Sequence, residues 1–267
     1  DKLNYKPQDY VMAGESLIEA KKWALAEEAF DKAINIASRT NNLMTVMARA
    51  TIGKIEVNKE KGNYVGAISE IEGFLENKRL AAMPIGTNVC VMAVEIAKKH
   101  GDVESYKTAN KALDRLGKYY WKDSPAWQKD IIKLMSADMH IAQAEVDEKK
   151  GDKKAAFSKR GRIASSLYGI VDSRKPLERA PENQEENNSA LAAKTSGEKT
   201  LDQFSPRELA VLEEAYAKLV PMLMTLEKKQ YGDVKKLGEE YLKYFPDGPN
   251  AQKIRETMDM AAKEAAL

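Results

Sequence analysis

Residues 10–37 read YVMAGESLIEAKKWALAEEAFDKAINIA. Trp23, Ala26, Phe30, Ala33 and Ala37 recur at steps of three and four, the spacing that gathers side chains on one face of an α-helix. Tyr10, Ala13, Gly14 and Leu17 form a similar stripe just upstream, and Lys21 and Lys22 separate the two. The stretch therefore predicts two short amphipathic helices joined by a tight turn. Two helices cannot bury both their faces alone, so such a hairpin needs a neighbour of its own kind.

The rest of the chain supplies candidates. EKGNYVGA (60–67), KHGDVESY (99–106), KKGDKKAA (149–156) and QYGDVKKL (230–237) each place Asn or Asp directly after Gly. Gly accepts the left-handed conformation that ends a helix, and Asn or Asp caps the N–H groups of the next one. Lys before the Gly suits the negative end of the first helix dipole. These motifs predict four further helix, turn, helix units around Gly62, Gly101, Gly151 and Gly232.

At this point residues 10–37 resemble a tetratricopeptide repeat. Tyr10, Ala13, Gly14, Leu17, Trp23, Ala26, Phe30 and Ala33 stand at that family's signature positions. The second hairpin keeps Gly62, Tyr64, Ala67, Ile71 and Phe74; the third keeps Val103 and Leu113, and the fourth Ala156 and Ile163. The intervals between turn glycines exceed the family's repeat of about 34 residues. The expected fold is all-α: a right-handed superhelix of about five antiparallel hairpins, irregular in pitch, with one long inserted loop. Trp23, Phe30, Tyr64 and Phe74 are the expected anchors of the stack, each contributing roughly 1.5–3 kcal/mol by burial.

The insert is VDSRKPLERAPENQEENNSALAAKTSGEKTLDQF, 171–204, polar and charged with prolines at 176 and 181. A segment this long is uncommon inside a compact domain, and a short helix is expected within it at NSALAAK. The expected organisation is hairpins one to four over 1–170, the insert over 171–204, and a last hairpin with a terminal helix over 205–267. Ser205, Pro206 and Glu208 form a capping box opening that last part, and Pro221 should bend its first helix. Its end resembles the repeats of periplasmic TolA-binding and outer-membrane assembly lipoproteins, through Tyr231, Tyr241, Phe245, Pro246, Pro249 and Ala251.

Composition excludes several function classes. Among 267 residues, 43 Lys and Arg face 41 Asp and Glu, interleaved to a net charge of +2, so no basic face is expected to track nucleic acid. The longest apolar run, LVPMLMTL at 219–226, is too short to span a bilayer. His100 and His140 are the only histidines, which rules out a histidine-rich metal site. Cys90, in an apolar stretch, reads as a buried, inert thiol. No phosphate loop, metalloprotease motif or nucleophile elbow occurs, so no catalytic residue, metal or cofactor is expected and the protein reads as a non-enzyme.

In tetratricopeptide proteins the first helix of each hairpin lines the binding groove. Transferring that register gives a recurring glutamate, at Glu15, Glu56, Glu95 and Glu145, with Glu19, Arg49, Lys59 and Lys98 beside it; Glu60, Lys99, Asp138 and Lys149 occupy nearby equivalent places. The resemblance implies a noncatalytic scaffold holding a protein or peptide partner, with cationic side chains or a free amino terminus complementing the glutamates. The terminal segment's resemblance implies a bacterial cell envelope, periplasmic or outer-membrane associated, the alternative being cytoplasmic. The chain opens on Asp1, and removal of a signal peptide or lipoprotein anchor is one expectation. The competing reading is a small-molecule binding or transport accessory protein with the insert as lid. Oligomeric state stays open; Met222, Met224, Met258 and Met260 read as core before contact surface.

Overall fold

A computed structural model describes residues 6–176 and 199–267; the helix expected at NSALAAK falls outside them. No strand occurs among the described residues. Among the described residues eleven α-helices follow one another: α1 (Pro7–Glu19), α2 (Trp23–Ala37), α3 (Met44–Glu60), α4 (Tyr64–Glu76), α5 (Gly86–His100), α6 (Val103–Arg115), α7 (Ala126–Lys149), α8 (Lys153–Ser173), α9 (Pro206–Leu223), α10 (Tyr231–Tyr244) and α11 (Ala251–Ala265). Each even-numbered helix packs on its predecessor, giving five hairpins, and α11 closes the series against α10 and α9. The all-α repeat of hairpins read from the sequence is the observed fold. Two compact units result, Asp1–Asp123 with three hairpins and Ser124–Leu267 with the rest.

The turns follow the expected chemistry in three places. Gly62, Gly101 and Gly151 take φ of +73°, +73° and +86°. The residue after each then accepts a backbone N–H of the next helix: Asn63 from Gly66 at 3.2 Å, Asp102 from Ser105 at 2.7 Å, Asp152 from Ala155 at 3.0 Å. In the first hairpin Lys21 occupies the same left-handed region, at φ +55°, without glycine's freedom. The expectation at Gly232 fails. That glycine is the second residue of α10, and the chain reverses over 224–230 instead. Asp233 sits in the first turn of α10, where a carboxylate meets the positive helix end, so Gly-Asp here starts a helix without making a turn.

Neighbouring hairpins interlock through close backbone approaches. The fully buried Phe30 ring of α2 lies against Gly14 of α1 and Gly53 of α3: a Cβ would come within 2.5 Å of the ring at Gly14 and 2.3 Å at Gly53. Phe74 is equally buried, but Trp23 and Tyr64 are only half-buried, and Val103 is exposed. These three open the second helices of their hairpins, and the first turn of a helix lies at the rim of its stack. Lys54 of α3 bridges Asp31 of α2 at 2.9 Å and Glu70 of α4 at 2.8 Å. Burial alone would lower its pKa, yet the hydrogen bonds to both carboxylates win and hold it above the ordinary lysine value. Cys90 is buried, and that burial pushes its thiol up to about 11, so it is protonated and inert at neutral pH.

The second unit is built around α9. Ser205 caps it, Glu208 completes the capping box, and Pro206 opens it; Pro221 falls in its last turn and the helix ends two residues later. Tyr216 and Tyr241 meet edge to face at 6.2 Å, their hydroxyls donating to Glu240 and Glu213 at 3.1 and 2.9 Å. Met222 is buried, Met224 and Met258 pack on this core, and Met260 faces solvent. Arg174, just past α8, donates through Nε to Asp130 of α7 at 2.6 Å, both side chains being buried. Arg174 Nη1 also lies 4.0 Å from Oε1 of Glu208, and Lys199 Nζ reaches that same oxygen at 2.8 Å. Both flanks of 177–198 are thus held to one carboxylate.

Candidate partner-binding face

In the first unit α1, α3 and α5 are the first helices of their hairpins. On α1 and α5, Glu15 and Glu95 are exposed; on α3, Glu56 is half-buried. Arg49 Nη2 donates to both carboxylate oxygens of Glu15, at 2.7 and 2.9 Å, tying α3 to α1. Lys59 lies 3.7 Å from Glu95 and 4.0 Å from Glu60, reaching from α3 toward α5. Five of the eight sequence-derived residues are therefore drawn into one region: Glu15, Arg49, Glu56, Lys59 and Glu95. Glu19 and Lys98 are exposed on the last turns of α1 and α5. Glu145 is exposed on α7, in the second unit, as is Lys149 on the same helix, whereas Asp138 is half-buried and paired with Lys218 of α9.

The electrostatics of this face are shared out unevenly. The Glu15–Arg49 pair is about half exposed on both sides, and such pairs contribute only about 0–1 kcal/mol. Lys59 is mostly buried and within reach of two carboxylates. Glu56, between Arg49 and Lys59 on α3, has no hydrogen bond or ion pair among the described residues. Its carboxylate oxygens are left to accept from an incoming cation.

Apolar residues missed in the sequence share the face. Met12, Ile52 and Met92 precede Glu15, Glu56 and Glu95 by three or four positions, which places each beside its glutamate on one helix side. Met12 is 62% exposed, while Ile52 and Met92 are half-buried. A helical step of three or four before each glutamate was the signal that could have found them. The face therefore offers carboxylates flanked by apolar side chains, a combination suited to a segment that is both cationic and apolar.

No group of His, Cys, Asp and Glu among the described residues is arranged to hold a metal ion. No described helix is long and apolar enough to cross a membrane.

No protein-family model matches the chain, and no curated protein matches it. Among solved structures, the apo form of RapI is similar, with a TM-score of 0.41 and 14% identity, covering 98% of this chain and 84% of that one. The fold assignment rests on the chain's own helices and turns.

Proposed function

We propose that this protein is a noncatalytic helical-hairpin scaffold that captures a protein or peptide segment on the face formed by α1, α3 and α5. The observation that carries the reading is Glu56, half-buried and without an ion pair among the described residues, on the same helix as Arg49 and Lys59, whose charges are met by Glu15 and Glu95. A Lys or Arg of the partner donates to Glu56, the exposed carboxylates of Glu15 and Glu95 accept from its neighbouring donors, and Met12, Ile52 and Met92 take its apolar neighbours. The helix spacing that aligns these residues repeats from hairpin to hairpin, which favours an extended ligand over a compact one. Glu19 and Lys98 extend the same register within the first unit.

The setting we propose is the bacterial cell envelope. Its support is the likeness of residues 231–251 to periplasmic TolA-binding and outer-membrane assembly lipoproteins, in which Tyr241 and Ala251 become buried contacts of the α10–α11 pair. Selection of displayed random peptides against the whole chain tests the binding reading. Peptides rich in Lys or Arg next to apolar residues are expected, and they should lose binding to the Glu56→Lys, Glu95→Lys double variant while its helical circular dichroism stays unchanged. Selected peptides that bind both forms alike would remove the assignment of this face.

A further inference from the structure

On the second helices, α4 and α6, a separate cavity of about 230 Å³ is lined by Glu72, Leu75, Glu76, Thr108, Lys111 and Arg115. Four of the six are ionisable, two of each sign. None of the four takes part in an ion pair among the described residues. Arg115 is held in place by long hydrogen bonds from Nη1 to the Leu75 carbonyl at 3.3 Å and from Nη2 to the Ala81 carbonyl at 3.4 Å. The Tyr119 ring lies 5.2 Å from its guanidinium carbon. Its Nε–H is buried without an acceptor. On the opposite charge, Glu72 is fixed by the Thr108 hydroxyl, which donates to it at 2.7 Å.

Opposite charges set in one cavity and not spent on each other describe the complement of a zwitterion. A simple anion would meet Glu72 and Glu76, and a simple cation would meet Lys111 and Arg115. The volume falls below the range of about 300–1,000 Å³ of clefts for drug-sized ligands, so the ligand is small. We propose that this cavity binds a free α-amino acid, its carboxylate drawn to Lys111 and the Arg115 guanidinium, its ammonium donating to Glu72 and Glu76, and its side chain meeting Leu75.

Isothermal titration calorimetry and thermal-shift measurements on the whole chain test this, with each standard amino acid in turn at millimolar concentration. Sodium acetate, methylammonium chloride and inorganic phosphate serve as single-charge probes. At least one amino acid should bind and raise Tm, and the single-charge probes should bind about tenfold more weakly or worse, having lost one charge-assisted partner. Lys111→Ala and Glu76→Gln change exposed side chains and should keep the fold while weakening amino-acid binding about tenfold. Absence of binding by every amino acid would overturn the proposal. So would acetate or phosphate binding as tightly as an amino acid, or unchanged affinity in both variants.

Discussion

Gly53 lies directly under the Phe30 ring, so close that a Cβ on it would stand 2.3 Å from ring Cζ. The buried ring has no room to withdraw, being against Gly14 on its other side. Gly53→Ala should therefore destabilise the protein by about 1–3 kcal/mol through overpacking, although alanine favours helix by about 1 kcal/mol. Gly73 of α4 provides the contrast, since a Cβ there meets nothing within 4 Å. Gly73→Ala should stabilise by about 0.5–1 kcal/mol, and denaturant titrations showing the same sign for both would contradict this account.

Lys21 holds φ +55° where the three other glycine-led hairpin turns use glycine. A left-handed side-chain residue costs about 1–2 kcal/mol, and the exposed lysine has no buried contact to lose. Lys21→Gly should raise stability by about 0.5–1 kcal/mol after the entropy that glycine adds to the unfolded chain. A lower denaturation midpoint in the variant would show that Lys21 makes a contact worth more than its strain.

Asp130 and Arg174 form a buried pair in the second unit. Removing one partner of such a pair leaves an uncompensated charge and costs about 3–5 kcal/mol. Asp130→Ala should approach that loss, and Lys133, 2.7 Å from Asp130, should matter far less because it is half exposed. Equal effects of Asp130→Ala and Lys133→Ala would place the stabilisation at the surface instead.

Glu208 receives hydrogen bonds from Lys199 and from the Ser205 N–H and hydroxyl, which hold its carboxyl down at about 2, against some desolvation. A carboxylate lowered by folding stabilises the folded state above its unfolded pKa, near 4.5, and that contribution disappears as the pH falls toward 2. Wild type should therefore be more stable than Glu208→Gln at neutral pH, with the gap closing between about pH 4.5 and pH 2. Parallel acid-unfolding curves for the two proteins would rule this out.

Because Arg174 and Lys199 meet on one Glu208 oxygen, residues 177–198 join two points that are already together. Replacing them with a short Gly/Ser linker should keep helical circular dichroism and cooperative unfolding, shifting Tm by less than about 4 °C, or roughly 1 kcal/mol for a chain of this size. A broad or lost transition would assign them a part in the core.

Much of this was legible beforehand. Helix formers at steps of three and four, with Gly followed by Asn or Asp, act within a few residues, so Gly62, Gly101, Gly151 and the Ser205 capping box could be placed from the chain alone. The same local logic misread Gly232, because a Gly-Asp pair suits both the end of one helix and the first turn of another; only the packing of α10 on α9 selects between them. Spacing from the turns also aligned Glu15, Glu56 and Glu95. It could not say that Arg49 is paired with Glu15 while Glu56 has no ion pair among the described residues.

The sequence by itself determined the helices and most of their turns, since each depends on backbone conformation and side-chain spacing over short range. Only the tertiary structure decided that Phe30 requires glycine on both sides, that Trp23 and Tyr64 sit at the rim, and that Glu72, Glu76, Lys111 and Arg115 share a cavity unpaired. Those facts depend on distances between hairpins far apart in the chain, set by how side chains of particular volume fill the space between neighbouring helices.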